Sequence, residues 1–290
     1  MVTCTTCVNR KARNLNCQSA SAVQRTHTMR QGRPSKPSRP FSGRRDQARP
    51  ARDPAGPAIL YGHHSVVEAL KNPKREFRRL LATENALKRL QDEGVRVPSM
   101  VEVVRPGAID RELTPDAVHQ GLLLEADPLV APELESLPDN ALVLVLDQIT
   151  DPHNVGAIVR TAAAFDVAAI VTTARHSPEA TGVLAKSASG GLEHVPIIAV
   201  RNLSDALDTL ASRNFQRIGL DSEGDSPLPS IPMRRPLALV LGAEGKGLRQ
   251  KTRTFCDSLA RLDMPGAIKS LNVSNATAIA LHVAVSSTNS

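Results

Sequence analysis

Residues 141–165 read ALVLVLDQITDPHNVGAIVRTAAAF. The stretch opens on six unbroken apolar residues and ends that run on a carboxylate, Asp147. A strand with no polar alternation is one buried on both faces, as in a parallel sheet. A polar loop follows, and residues 155–165 then carry apolar side chains at helical spacing, with Asn154 opening the helix. Strand, loop and helix recur downstream. VAAIVTT (167–173), VPIIAV (195–200), FQRIGLD (215–221), PLALVLG (236–242) and LARLDM (259–264) read as strands. Helices are expected around 179–186, over Leu203–Ser212 and at the carboxyl end. The pattern predicts an α/β fold with a mostly parallel sheet and helices on both faces, whose ligands sit beyond the carboxyl ends of the strands.

A smaller unit precedes it. LYGHHSVVEALKN (60–72) reads as a short strand and a helix, and EFRRLLAT (76–83) as a strand. ENALKRLQDEG (84–94) reads as a helix closed by Gly94. SMVEVVR (99–105) and AVHQGLLLEAD (117–127) add two strands. This gives a small α/β domain over 58–127. Pro128, Pro132 and Pro138 punctuate a linker over 128–140, and the larger domain takes 141–290.

The chain has 290 residues, 41% of them hydrophobic and 2% aromatic, which allows full cores but no aromatic platform for stacking bases. No apolar run is long enough to cross a bilayer, so the protein reads as soluble, with no membrane partner. The net charge of +7 is unevenly placed. Residues 1–57 hold 12 Lys and Arg against Asp46 and Asp53, whereas the rest holds 24 basic and 27 acidic residues, a net of −3. That leader, rich in Pro, Ser, Gly and Arg, cannot bury a core and is expected to be disordered. It reads either as a solvated tail or as an electrostatic arm for nucleic acid. Its Arg-rich start also fits an organelle transit peptide, and Met29 is a second possible start. Cys4, Cys7 and Cys17 lie in the leader and only Cys256 in the folded part, which excludes a disulfide framework there and suits a reducing cytoplasm. Cys4 and Cys7 form a CxxC with no second pair or His cluster, so no metal site is expected.

Unusual residues gather at three strand ends. After the first, Asn154 and Arg160 lie six apart on different helix faces; each also reads plainly, as an N-cap and a surface charge. LALVLGAEGKGL (237–248) places three glycines within six residues after a strand, a sign of backbone approaching a ligand. Its spacing matches neither a Walker loop nor GxGxxG, and Glu244 would repel a phosphate, so a neutral or cationic ligand fits better. A glycine turn with an exposed Glu is the plain alternative. In RLDMPGAIKSLNVSNATAIAL (261–281), Pro265 and Gly266 force an irregular loop. Ser270, Asn272, Ser274 and Asn275 then crowd a helix start that a single cap would close.

Taken in order and spacing, these three stretches resemble the SpoU (TrmH) family of RNA ribose 2′-O-methyltransferases, of the SPOUT superfamily. YGHHSVVEAL and VHQG extend the resemblance to that family's substrate-binding domain, over about 58–286. It is most similar to the bacterial 23S rRNA guanosine 2′-O-methyltransferases. The resemblance implies a trefoil-knotted, SPOUT-type fold, S-adenosyl-L-methionine (SAM) as methyl donor, RNA (rRNA first) as partner, a cytoplasmic location and a homodimer. It assigns Asn154, Arg160, Glu244, Ser270 and Asn272 to the catalytic constellation. Gly242, Leu262 and Leu271 become cofactor contacts. Many members of that family carry Ile-Pro-Met where this chain has Leu262, Asp263 and Met264, so Asp263 removes a fixed φ from that loop. Arg160 is expected to grip substrate phosphate and stabilise a developing alkoxide, because a guanidinium stays protonated. His153, the generic choice of base, ranks below it. His63, His64 and His119 read as structural or RNA-contacting. The competing readings are a tRNA ribose 2′-O-methyltransferase and a non-catalytic RNA-binding assembly protein.

Overall fold

The computed structural model describes residues 56–175 and 182–288. The basic leader lies outside the described residues except for its last two positions, and so does residue 179, where a helix was expected to begin.

The first unit runs β1 (Ala58–Tyr61), α1 (His63–Lys71), β2 (Phe77–Ala82), α2 (Glu84–Asp92), β3 (Val101–Val103), α3 (Pro106–Asp110) and β4 (Leu122–Ala126). Its sheet is ordered β1-β4-β2-β3, with β4 antiparallel to both neighbours and β2 parallel to β3. Leu60, Leu80, Leu122 and Leu124 meet Val66 of α1 and Leu90 of α2 in its core. Thr83 caps α2, accepting from the Ala86 amide at 3.4 Å. The expected strands and helices are present; α3, one short turn begun by Pro106, is an addition.

The second unit runs β5 (Leu142–Asp147), α4 (Pro152–Ala164), β6 (Ala169–Thr173), α5 (Gly182–Ala188), β7 (Ile197–Val200) and α6 (Leu203–Ser212). It continues through β8 (Gln216–Leu220), β9 (Ser226–Pro227), β10 (Leu237–Gly242), α7 (Gln250–Thr254), β11 (Ser258–Arg261) and α8 (Val273–Thr288). Seven strands, all parallel, are ordered β7-β6-β5-β10-β8-β11-β9. Alternate residues of each strand face opposite layers. Leu142, Leu144, Leu146, Leu239 and Leu241 pack on Ile158 of α4 and Leu281 of α8. Val143, Val145, Val171 and Val240 pack on Leu207 and Leu210 of α6. The chain leaves β5 toward one edge and later fills the other, so the order reverses between β5 and β10, where Asp147 and Gly242 stand in register. Such a reversal opens a crevice at the strand ends. Among the described residues no helix is long and apolar enough to cross a membrane.

Between the two units, Leu134 and Leu137 are buried in the layer beneath α6, and Arg213 donates to their carbonyls at 3.0 and 2.6 Å. A buried ion pair also joins the units. Arg75 donates to both carboxylate oxygens of Glu193, at 3.1 and 2.6 Å, and to the Asp127 carbonyl at 2.8 Å. Asn72 donates to the same carboxylate at 2.8 Å. The two side chains are 4% and 3% exposed, so neither charge has water to fall back on. Ser65 adds a bond to the Ala185 carbonyl at 2.8 Å. Arg75→Met strands a buried carboxylate and is expected to lower stability by about 3–5 kcal/mol. Pairing it with Glu193→Leu removes the orphaned charge and should recover most of the loss. Urea unfolding of wild type and both variants checks this; a double variant no more stable than the single one contradicts it.

Candidate active site

The site is built where β5, β10 and β11 end. Beyond β5, Asp151 caps α4, accepting from the amides of His153 at 3.2 Å and Asn154 at 3.3 Å. Pro152 occupies the first helical position, where a missing N–H costs nothing. Asn154, expected to open the helix, therefore lies within its first turn instead, and Asp151 is the cap. Its Oδ1 accepts from Nδ2 of Asn272 at 2.9 Å, across 118 residues of sequence.

Asn272 explains the crowded start of α8. Its carbonyl accepts from the Ala276 amide at 3.0 Å, and its Oδ1 accepts from the Ser274 amide at 2.9 Å and the Ser274 hydroxyl at 2.5 Å. One face of its amide closes the helix while Nδ2 reaches Asn154. Ser270 lies before the helix, in the exposed loop, and does not cap it. Asn275 stands on the exposed side of α8, in line with Ile279.

Beyond β10 the glycine stretch turns back on itself: Gly247 donates to the Ala243 carbonyl at 2.9 Å. A Cβ on Gly242 would overlap the carbonyl of Gly247, so only glycine permits this fold-back. Glu244 projects from the turn, and its Oε1 accepts from the Val273 amide at 2.8 Å, at the first residue of α8. A carboxylate there satisfies an orphan donor and meets the positive end of the helix. The far end of the turn is held by Asp147, which is 1% exposed. Asp147 accepts from the amide and Nε of Arg249, at 3.1 and 2.6 Å, and from the Thr252 hydroxyl at 2.6 Å.

These loops surround a cavity of about 500 Å³. Gly242, Glu244, Leu262, Ser270 and Leu271 all line it, together with Met264, Lys246 and Lys269. Five of the eight expected residues thus meet in one place. Asn154 and Asn272 join each other outside that lining, and Arg160, exposed on the third turn of α4, is not part of it either. His153 is tied to α5, its Nδ1 pairing with the Ser187 hydroxyl at 3.3 Å. Asp263 pairs with Arg261 at 2.9 Å, two residues away and partly exposed. The sequence reading missed Asp221, which lines the cavity from the end of β8 and pairs with Arg253 at 3.2 Å. The carboxylate closing FQRIGLD was its available signal, as it was for Asp147. Burial pushes the Cys256 thiol up to about 12, so it carries no nucleophile into the site.

The lining has the size and chemistry for a small ligand with a flat apolar part and a positive centre. Leucine and methionine walls, close backbone at Gly242 and a nearby carboxylate all suit SAM.

Comparison with known proteins agrees with the fold and the order of these motifs. The model of the SpoU rRNA Methylase family matches residues 141–282. A second model, described as RNA 2′-O ribose methyltransferase substrate binding, matches residues 59–131. A Pseudomonas putida protein named 23S rRNA (guanosine-2′-O-)-methyltransferase RlmB is 38% identical over 218 residues, covering 75% of this chain and 85% of that protein. The Escherichia coli protein of the same name is 35% identical over 244 residues, covering 78% and 97%. Among solved structures, the SpoU methyltransferase AviRb from Streptomyces viridochromogenes, in complex with the cofactor AdoMet, shares the fold with a TM-score of 0.68. That similarity spans 80% of this chain and 90% of AviRb at 22% identity. With two family models end to end along the described units and relatives matched over most of both lengths, the chain belongs to the SpoU family of rRNA methylases.

Proposed function

We propose that this protein is a SAM-dependent RNA methyltransferase that methylates the ribose 2′-hydroxyl of a guanosine in 23S rRNA, acting in the cytoplasm. The observation that carries the reading is the cavity at the strand ends, lined by Gly242, Glu244, Leu262, Ser270 and Leu271 in a chain of this family. Residues 58–127 serve as the RNA substrate-binding domain, 128–140 connect, and 141–290 form the methyltransferase domain, with its carboxyl end threaded as a trefoil knot. The relatives named RlmB support the choice of rRNA.

Gly242, Leu262 and Leu271 hold the cofactor by close backbone and apolar contact. When bound, SAM supplies an electrophilic methyl group on a sulfonium. Glu244 fixes the start of α8 against the glycine turn, and Ser270 faces the cavity beside it. Asn154 and Asn272, already bonded to each other, orient the ribose at the rim. Arg160 is exposed and makes no ion pair among the described residues, so its guanidinium is free for a phosphate and for charge developing on the 2′-oxygen. A guanidinium is a poor base, and the 2′-proton leaves to water.

The active form is a homodimer. Asn275, Ile279, His282 and Ser286 form one exposed face of α8; Ile279 is 44% exposed, and Ile268 in the preceding loop is 77% exposed. Exposed apolar side chains beside a helix face of this kind favour a self-complementary contact.

Incubating the protein with SAM and an unmodified 23S rRNA transcript should place a 2′-O-methyl group on one guanosine, read by ribose-methylation mapping; labelling confined to tRNA contradicts the assignment. In single-turnover assays Arg160→Ala is expected to lose methyl transfer by 100-fold or more, as for removal of one charge-stabilising donor (about 10²–10³), with SAM affinity nearly unchanged. His153→Ala should keep most activity, and the reverse ranking would refute the roles given. Light scattering should give twice the mass of the 31.0 kDa chain, and Ile279→Asp should shift it toward monomer with loss of turnover; a fully active monomer contradicts the dimer.

A further inference from the structure

A line of polar contacts leads from the first unit to the active site, and the proposed function leaves it unused. Gln120, in the VHQG stretch, accepts through its Oε1 from the His63 amide at 3.0 Å and from the Lys186 ammonium at 3.1 Å. Lys186 sits on α5. The next residue, Ser187, pairs with His153, and His153 adjoins Asn154, which is bonded to Asn272. The segments that stood out in sequence, YGHH, VHQG, DPHN and SLNVSN, thus lie along one track. α5 is not free to move along it: Leu184 and Ala188 are locked into the same core as Val155 of α4.

Lys186 is the anomalous member. It is only partly exposed, and among the described residues its ammonium has a neutral amide as acceptor and no carboxylate within ion-pair distance. Lys71, by contrast, pairs with Glu68 at 3.1 Å. Room for the ammonium is built in: Gly62 has φ +85°, and a Cβ there would come within 2.5 Å of Nζ. Burial alone holds the Lys186 pKa below the usual lysine value. The chain outside the leader carries a net −3, so such an unpaired cation is not part of a general basic surface. A phosphodiester would supply the missing charge, and phosphate contacts are what set the register of a nucleic acid on its protein.

We propose that Lys186 is a phosphate-contact residue for the RNA substrate, holding its backbone beside Gln120 and Ser187 as the strand passes from the first unit toward Asn154. This rests on the reading of the protein as an RNA methyltransferase and adds a positioning residue to it. The plain alternative is a bolt, a lysine that only joins Gln120 to α5. The two differ in their response to salt, because each phosphate neutralised releases counterions and a neutral bolt releases none.

The test measures affinity for an unmodified 23S rRNA transcript by filter binding at several salt concentrations, with saturating SAM, for wild type, Lys186→Gln and Lys71→Gln. Lys186→Gln is expected to lower the magnitude of the log–log salt slope by about 1, so that its affinity deficit widens as salt falls, with SAM affinity unchanged. Lys71→Gln should follow wild type, since its charge is already paired. An unchanged slope for Lys186→Gln overturns the proposal, whether affinity is kept or falls by a constant factor as a broken bolt would give. If wild type methylates the transcript while the slope of Lys186→Gln is intact, this inference falls alone. If wild type neither binds nor methylates it, the functional reading falls with it.

Discussion

The buried carboxylate of Asp147 is the constraint on which the site depends. It stands at the end of a strand covered on both faces, at the point where strand order reverses, and is 1% exposed. Burying a carboxylate costs several kcal/mol unless its lone pairs are filled. Here they are filled by Arg249 and Thr252, from the segment that follows the glycine turn. Meeting that demand fixes the far end of the turn, and pairing of Gly242 with Asp147 across the sheet fixes its near end. With both ends held, Glu244 is aimed at the first amide of α8. The start of α8 then presents Asn272 to Asn154, on the helix that begins five residues after Asp147. The circuit returns to where it began, so the geometry of the cavity is over-determined by contacts among loops that would otherwise be independent.

Strands and long helices were legible because their signal is local. Leu203–Ser212 reads as a helix and is one, and the apolar runs ending at Asp147 and Gly242 are the two central strands. Of the site, the cavity residues were legible only through the order of three motifs; no spacing within any one of them brings Gly242, Leu262 and Leu271 together. The helix start at Asn154 was misread because Asp151 and Asn154 are equally good caps, and Pro152 at the first helical position decides between them. α3 is too short for periodicity to register. Leu134 and Leu137, spaced three apart among prolines, carry a helical turn that anchors residues 128–140. Pairs such as Arg75 with Glu193 and Asp147 with Thr252 lie more than 100 residues apart. A single sequence says that each charge is present but not which partner will bury it.

Charge is divided within the site in a way that bears on how two unlike ligands could share it. Inside the cavity, acidic groups are largely engaged: Asp221 by Arg253, and Glu244 by the amide and positive end of α8. Lys246 and Lys269 line the cavity as well, so its walls carry both signs of charge. Arg160 and Lys186 lie outside it, each without an ionic partner among the described residues, on the side from which α4 and α5 face solvent. In the proposed reaction the methyl donor occupies the cavity while the RNA passes Arg160 and Lys186, and in-line transfer requires the two to meet at a boundary. That boundary is the Asn154–Asn272 bond, where two helix starts touch. Its position is set by Asp151, which holds the first turn of α4, and by Glu244, which holds the first turn of α8. Two carboxylates that, among the described residues, bond only backbone amides thus set where these two helix starts meet.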